Sequence, residues 1–353
     1  MGINIFNLQP TVISRDLSGK SFLIYGERKS GKTSNAVKFP KPILLAFEKG
    51  YSMLSGVMAQ PINTWREALE VKKQLIKDAD EVARGDAKNP DGTPRTETYF
   101  KSVIVDTADL AYDFCEKYIV DKEGVEYLDE STNMRAYRAL SREYDKFFQE
   151  IVKAGYTLII ISHATSKQLK EKGEKYDKTI PTVPDRGFQV IARLVDVCAY
   201  ASYETNDDGV TTSTLTMRGN KHLEAGSRNK YMSEKIPFTY QALCDDMAQA
   251  VDKLESQDNA KVVAAPAQMF KDVSEKVDYK TVKGDIAKYA KALKLADNGL
   301  EEPVHMDKYK SVVETYLGKG RMVRDCEESQ TDMMVLILEE LEAYAKDNGI
   351  TVQ

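Results

Sequence analysis

Gly26-Glu27-Arg28-Lys29-Ser30-Gly31-Lys32-Thr33 matches G-x-x-x-x-G-K-[ST] at every position, and the apolar run at residues 21–25 (SFLIY) stands directly before it. Each residue type has a physical task in a loop that wraps a phosphate chain with backbone N–H groups. Gly26 and Gly31 allow close approach and unusual φ. Lys32 puts a cation on the β- and γ-phosphates, and Thr33 offers a hydroxyl to Mg²⁺. Glu27, Arg28, Lys29, Ser30 and, just past the motif, Ser34 complete the cradle. A helix predicted over residues 32–39 directs its positive end at the anion. Strand before and helix after is the setting this motif requires. It points to an α/β fold that binds ATP with Mg²⁺. The bland alternative is a glycine-rich turn that binds nothing.

Outward from the loop, short apolar runs continue at residues 43–47 (ILLAF), 102–105 (SVIV), 157–162 (TLIIIS), 195–203 (VDVCAYASY) and 213–218 (STLTMR). Runs of four to six apolar residues separated by helical stretches predict a mostly parallel sheet buried on both faces. The last two flank Asn206-Asp207-Asp208-Gly209 and read as an antiparallel hairpin at one edge. The predicted class is therefore α/β and doubly wound, with a helical module at the C-terminus.

Three strand ends carry chemistry. Residues 102–107 read Ser-Val-Ile-Val-Asp-Thr, and an aspartate after such a run supplies the metal-side carboxylate, so Asp106 joins Thr33 at the Mg²⁺. Asp109 competes for that role and reads better as a cap of the next helix or as solvated. Glu48 follows the 43–47 run, where a carboxylate faces the same crevice as the phosphates. It is the candidate catalytic base, against a solvated glutamate paired with Lys49. His163 ends the 157–162 run, beside the γ-phosphate, as a sensor or as a structural histidine. Lys32 and His163 thus join Glu48 as the catalytic candidates. Trp65 is expected to anchor a helix on the sheet. Tyr137, Tyr144, Phe147 and Phe148 repeat at helical spacing and read as core.

This order of P-loop, Glu48, Asp106, Ser162-His163 and then a hairpin with basic residues resembles the RecA-type ATPase core. Within that group it is similar to phage-encoded AAA-domain nucleotide-binding proteins, some of which are Sak-type single-strand annealing recombinases. The resemblance covers roughly residues 18–245. It implies that Glu48 polarises the attacking water, that Asp106 lies on the Mg²⁺ side, and that His163 senses the γ-phosphate where Gln or Asn is usual. It implies a mobile DNA-facing loop over residues 164–186, where Lys167, Lys170, Lys172, Lys175 and Lys178 oppose only Glu171, Glu174 and Asp177. Such lysines would bind single-stranded DNA by releasing counterions. The alternative is a solvated charged loop. It further implies a homo-oligomer, ring or filament, with ATP at subunit interfaces. There Arg218, Lys221 and Arg228 would reach a neighbour's γ-phosphate, or merely charge an edge strand. A single-strand DNA-binding protein or another replication or recombination partner fits the same setting.

Composition bounds the rest. The chain has 353 residues and a net charge of −5, which excludes a whole-chain basic footprint and confines any DNA contact to local clusters. The four cysteines, Cys115, Cys198, Cys244 and Cys326, form no C-x-x-C pair, which speaks against zinc and fits a reducing cytoplasm, the host's if the chain is phage-encoded. Cys198 reads as core. The N-terminus has no apolar signal segment, Phe6 stands where a myristoylation signal needs Ser or Thr, and no run approaches a membrane span.

The expected organisation is a lead-in over 1–17, a RecA-like ATPase core over 18–252, a linker over 253–268 and a helical module over 269–353. The module has helices near 277–295, 306–317 and 331–347. The last shows an apolar stripe of Met333, Met334, Leu336, Leu338, Leu341 and Tyr344. Lys319, Arg321 and Arg324 read as a solvated turn. Two other functions stay open: a P-loop ATPase acting as motor or switch on a protein partner through these helices, and a small-molecule or nucleoside kinase. The second lacks the arginine-rich lid that such kinases carry.

Overall fold

Apolar runs too short for helices and buried on both faces become the central strands, and amphipathic stretches between them become the covering helices. The computed structural model describes residues 12–130, 134–171, 174–205, 208–263, 278–299, 302–327 and 330–352. The chain divides into two units, Met1–Lys271 and Asp272–Gln353.

The first unit begins with β1 (Ile13–Ser14), β2 (Ser21–Gly26), α1 (Lys32–Ala36), β3 (Pro42–Ala46), β4 (Ala59–Pro61) and α2 (Trp65–Arg84). It continues through β5 (Ser102–Asp106), α3 (Ala108–Glu123), α4 (Arg135–Lys153), β6 (Thr157–Glu171), β7 (Glu174–Pro181) and α5 (Asp185–Leu194). It closes with β8 (Val197–Thr205), β9 (Thr211–Thr216), β10 (Gly226–Ser227), β11 (Lys235–Pro237), α6 (Tyr240–Asp258) and β12 (Val262–Val263). The main sheet runs in the order β11-β9-β8-β2-β6-β5-β3-β4. From β8 to β4 every pairing on that path is parallel. The hairpin partner β9 and then β11 add antiparallel strands at one edge. This is the α/β P-loop core the sequence predicts.

Two hydrophobic cores sandwich the sheet. Along β2, Leu23 points into one, with Trp65, Leu140 and Phe147. Phe22 and Ile24 point into the other, with Ala36, Phe39 and Leu243. Helix α4 buries Ala136, Leu140, Tyr144, Phe147, Phe148 and Ile151 along one stripe, so Tyr144, Phe147 and Phe148 are core packing as read, while Tyr137 is half-buried at the core's margin with Arg186 4.4 Å over its ring. Trp65 of α2 is buried in the core that covers this face of the sheet; its ring lies against Tyr144 and Phe147 of α4, and its indole N–H donates to Glu143 at 3.3 Å. Cys198 is half-buried.

Several boundaries shift. The helix expected over 32–39 stops at Ala36. Helix α6 runs to Asp258, six residues into the stretch read as linker, and β12 then pairs in parallel with β1. Asn206 and Asp207 of the hairpin turn lie outside the described residues. The largest departure follows His163. Instead of a loop, β6 continues to Glu171, and β7 returns along it from Glu171↔Glu174 to Ala164↔Pro181. Alternating Lys, Leu, Thr and Tyr suit extended backbone, and the two-sided ribbon that results is discussed with the site.

The second unit holds α7 (Tyr279–Ala296), α8 (Val304–Leu317) and α9 (Thr331–Asp347). Val282, Ile286, Leu293, Val312, Met334, Ile337 and Leu341 form its core. Of the expected stripe on α9, Met333 and Leu336 instead face outward at 43% and 46% exposure, because the buried line runs through Met334, Ile337 and Leu341. No helix among the described residues is long and apolar enough to cross a membrane.

Candidate functional site

Strand order builds the site. Strand β6 lies between β2 and β5, so the phosphate loop and Asp106 end neighbouring-but-one strands. Gly26 registers with His163, and Asp106 with Ala46. The three carboxyl ends therefore share one edge. Alternation along the strands settles the face. Ile104 on β5, Ile161 on β6 and Ala46 on β3 all lie in the core on the α1 side, so Asp106, His163 and Glu48, each two residues further on, project toward α1. Glu48 stands two residues past the end of β3, and its N–H donates to the Asp106 carbonyl at 3.1 Å.

The side chains meet there. Thr33 donates its hydroxyl to Asp106 Oδ2 at 2.7 Å. Lys32 Nζ donates to the carbonyls of Gly26 at 3.1 Å and Glu27 at 2.6 Å. His163 Nε2 lies 3.4 Å from Glu48 Oε2, a contact in which Nε2 carries the hydrogen because a carboxylate only accepts. Glu48 pairs with His163 rather than Lys49, and its side chain remains 46% exposed. Burial pushes the Asp106 carboxyl above its usual range, opposed by the Thr33 hydrogen bond and by Lys32. Burial likewise lowers Lys32, opposed by Asp106 and Glu48. A buried lysine and a buried carboxylate placed together suit a ligand that brings both anionic oxygens and a cation.

The loop geometry fits the same ligand. Gly31 adopts φ +82°, which favours glycine. A Cβ on Gly26 would stand 2.0 Å from the Ala201 carbonyl oxygen, so only glycine lets the loop leave β2 there. Glu27, Arg28, Lys29 and Ser34 are exposed around the buried Ser30 and Lys32. Thr33 and Asp106 offer adjacent hard oxygen donors, the set Mg²⁺ takes alongside phosphate oxygens. The residues present thus fit a magnesium nucleotide.

Other expected residues lie elsewhere. Asp109 neither caps α3 nor is solvated: it accepts from Ser162 at 3.0 Å and from Thr182, and its Oδ2 is buried without a hydrogen-bond partner. Arg228 donates to Asp196 at 2.9 Å and to the Arg193 carbonyl. Asp196 also holds the N–H of Ser21, so Arg228 sits at the far end of β2, about 17 Å of strand from Gly26. Arg218 donates to the carbonyls of Lys230 and Met232. Lys221 lies 4.6 Å over the Tyr176 ring and 3.8 Å from Glu171. None of the three meets the phosphate loop of its own chain.

The lysines divide between the faces of the β6–β7 ribbon. Lys167 and Lys178 are register partners on one face, paired with Asp185 and Glu224 at 2.5 Å each. Lys170 and Lys175 are register partners on the other face and are exposed. Neither takes part in an ion pair among the described residues. Lys172 lies outside them. Sequence reasoning also missed hydroxyls that reach the phosphate loop: Ser213 donates to the Ser30 carbonyl at 2.8 Å, and Tyr203 donates to the Lys29 carbonyl. Nothing in a strand written Thr-Thr-Ser-Thr marks such a contact in advance.

Comparison with known proteins agrees with this geometry. Residues 18–229 match the family described as AAA domain. The chain is also 27% identical over 345 residues to the SPbeta prophage-derived uncharacterized protein YorG of Bacillus subtilis (strain 168), covering 97% of this chain and 98% of that one.

Proposed function

Because this chain belongs to the AAA-domain family, we propose that it hydrolyses ATP and couples that reaction to single-stranded DNA in phage recombination, annealing or replication. The observation that carries the ATPase reading is the convergence of Lys32, Thr33, Asp106, Glu48 and His163 on one strand edge. Lys32 leaves the loop carbonyls for the phosphate oxygens. Thr33 and Asp106 would hold Mg²⁺, which would supply positive charge to offset that of those oxygens. Glu48 accepts a proton from the attacking water as its oxygen bonds to the γ-phosphorus and the bridge to the β-phosphate breaks. His163 fixes the Glu48 carboxylate and stands where the γ-phosphate is present or absent.

The DNA part rests on the ribbon. Like charges set directly opposite on two strands destabilise the pair, and Lys170 faces Lys175 with neither in an ion pair among the described residues, Asp177 being the acid at the next position of that face. A polyanion along that face removes the repulsion and releases counterions. The prophage origin of the similar protein supports the phage setting. A second reading, a P-loop ATPase acting on a protein partner, is favoured by outward-facing Met333 and Leu336 on α9.

ATP hydrolysis measured with and without single-stranded DNA across a salt titration separates them. The DNA reading expects stimulation that fades steeply with salt. Equal rates, with no DNA binding at low salt, would transfer the function to the protein-partner reading.

A further inference from the structure

We infer that the β8–β9 hairpin is a clamp that sets the phosphate loop in its binding conformation, with Tyr203 and Ser213 as positioning residues. The inference rests on the nucleotide-binding reading above and adds two residues that the loop motif does not contain.

Tyr203 and Ser213 are register partners across β8 and β9. Their strand neighbours Ala201 and Leu215, two residues away, lie in the core on the α1 side, so both side chains face α1 and the loop before it. Cross-strand partners on one face stand about 4.5–5.5 Å apart. That spacing suits two successive peptide units, whose Cα atoms lie about 3.8 Å apart. The hydroxyls take successive carbonyls: Tyr203 that of Lys29, and Ser213 that of Ser30 at 2.8 Å.

Those contacts fix the donors as well as the acceptors. In a trans peptide the C=O and the following N–H point in opposite directions, and the peptides here are trans. Holding the Lys29 carbonyl on the hairpin turns the Ser30 N–H away from it, and holding the Ser30 carbonyl does the same for Gly31. Lys32 meanwhile occupies the carbonyls of Gly26 and Glu27. The carbonyls of Gly26, Glu27, Lys29 and Ser30 are thus engaged by the chain itself, the Ser30 N–H closes back on the Glu27 carbonyl at 3.4 Å, and the Gly31 N–H at the start of α1 is the one directed away from the hairpin toward an anion. Lys29 also sits at φ +64°, a conformation disfavoured for a residue with a Cβ, and the Tyr203 contact falls on that residue.

The test is calorimetric binding of ATP and of tripolyphosphate to the full chain and to Tyr203→Phe, Ser213→Ala and Ser213→Thr. Tyr203→Phe and Ser213→Ala should each weaken both ligands about five- to tenfold, the worth of one hydrogen bond. Ser213→Thr, which keeps the hydroxyl, should restore affinity, and thermal melting should stay near that of the parent chain. Parent-like affinity in both hydroxyl-deleted variants overturns the clamp, as does a loss that Ser213→Thr fails to restore. A parent chain that binds neither ligand overturns the nucleotide reading and the clamp with it.

Discussion

Thr33 and Asp106, 73 residues apart in sequence, meet through a hydroxyl–carboxylate hydrogen bond of 2.7 Å. The contact exists because β5 ends level with β3 and one strand away from β2, on the face that carries α1. It brings together the two oxygen donors suited to a hard cation. Asp106→Asn keeps the shape and removes the charge. Its Mg²⁺ requirement for ATP hydrolysis should rise about 10- to 100-fold. A variant with the parent's Mg²⁺ titration would place the metal elsewhere.

The lysine ribbon separates lysines held in ion pairs, Lys167 and Lys178, from exposed lysines that are not, Lys170 and Lys175. Lys170→Glu with Lys175→Glu should cut single-stranded DNA affinity and flatten its salt slope by at least about 1.4, two phosphate contacts' worth. Basal hydrolysis should persist, because neither residue touches the nucleotide site. Lys167→Ala with Lys178→Ala should leave the slope nearly intact, since these lysines already pair with Asp185 and Glu224. A slope set by Lys167 and Lys178 instead would assign DNA to the opposite face.

What the sequence made legible was set by short-range pattern. The G-x-x-x-x-G-K-[ST] string, the apolar strand before it and the acids after residues 43–47 and 102–105 named the loop, Glu48 and Asp106 from local spacing alone. The ribbon was not legible. Its lysines and two prolines downstream read as loop, while strand continuation depends on pairing between Ala164–Glu171 and Glu174–Pro181. Nor could the sequence say that Arg228 would neutralise Asp196 at the opposite end of β2. That depends on the route of the chain after β9. The outward turn of Met333 and Leu336 is a matter of helix phase: the buried line on α9 runs through Met334, Ile337 and Leu341.

Core aromatics give a stability test. Phe147 is fully buried and its ring lies 4.8 Å from that of Trp65. Phe147→Ala should lower unfolding free energy by about 3–5 kcal/mol in urea. Loss of DNA affinity at unchanged stability would instead make Phe147 a base-stacking residue.

The thiols give a pH test. Burial favours the neutral thiol, pushing Cys198 up to about 12 and Cys115 higher still, and it raises Cys244 and Cys326 as well. Because the thiolate is the nucleophile, iodoacetamide at pH 8 should label the native chain slowly at all four positions and the urea-unfolded chain rapidly. Raising the pH to about 9.5 should accelerate native labelling. Rapid native labelling of any one cysteine at pH 8 would contradict its assigned environment.

The central claim is that Glu48 activates water at a nucleotide held by Lys32 and Asp106. Single-turnover hydrolysis by Glu48→Gln, alongside equilibrium ATP binding, tests it most directly. The expected result is ATP affinity within about twofold of the parent and hydrolysis slowed about 10²- to 10⁴-fold. Hydrolysis at the parent rate would contradict the claim, because the proton would then leave the water by another route.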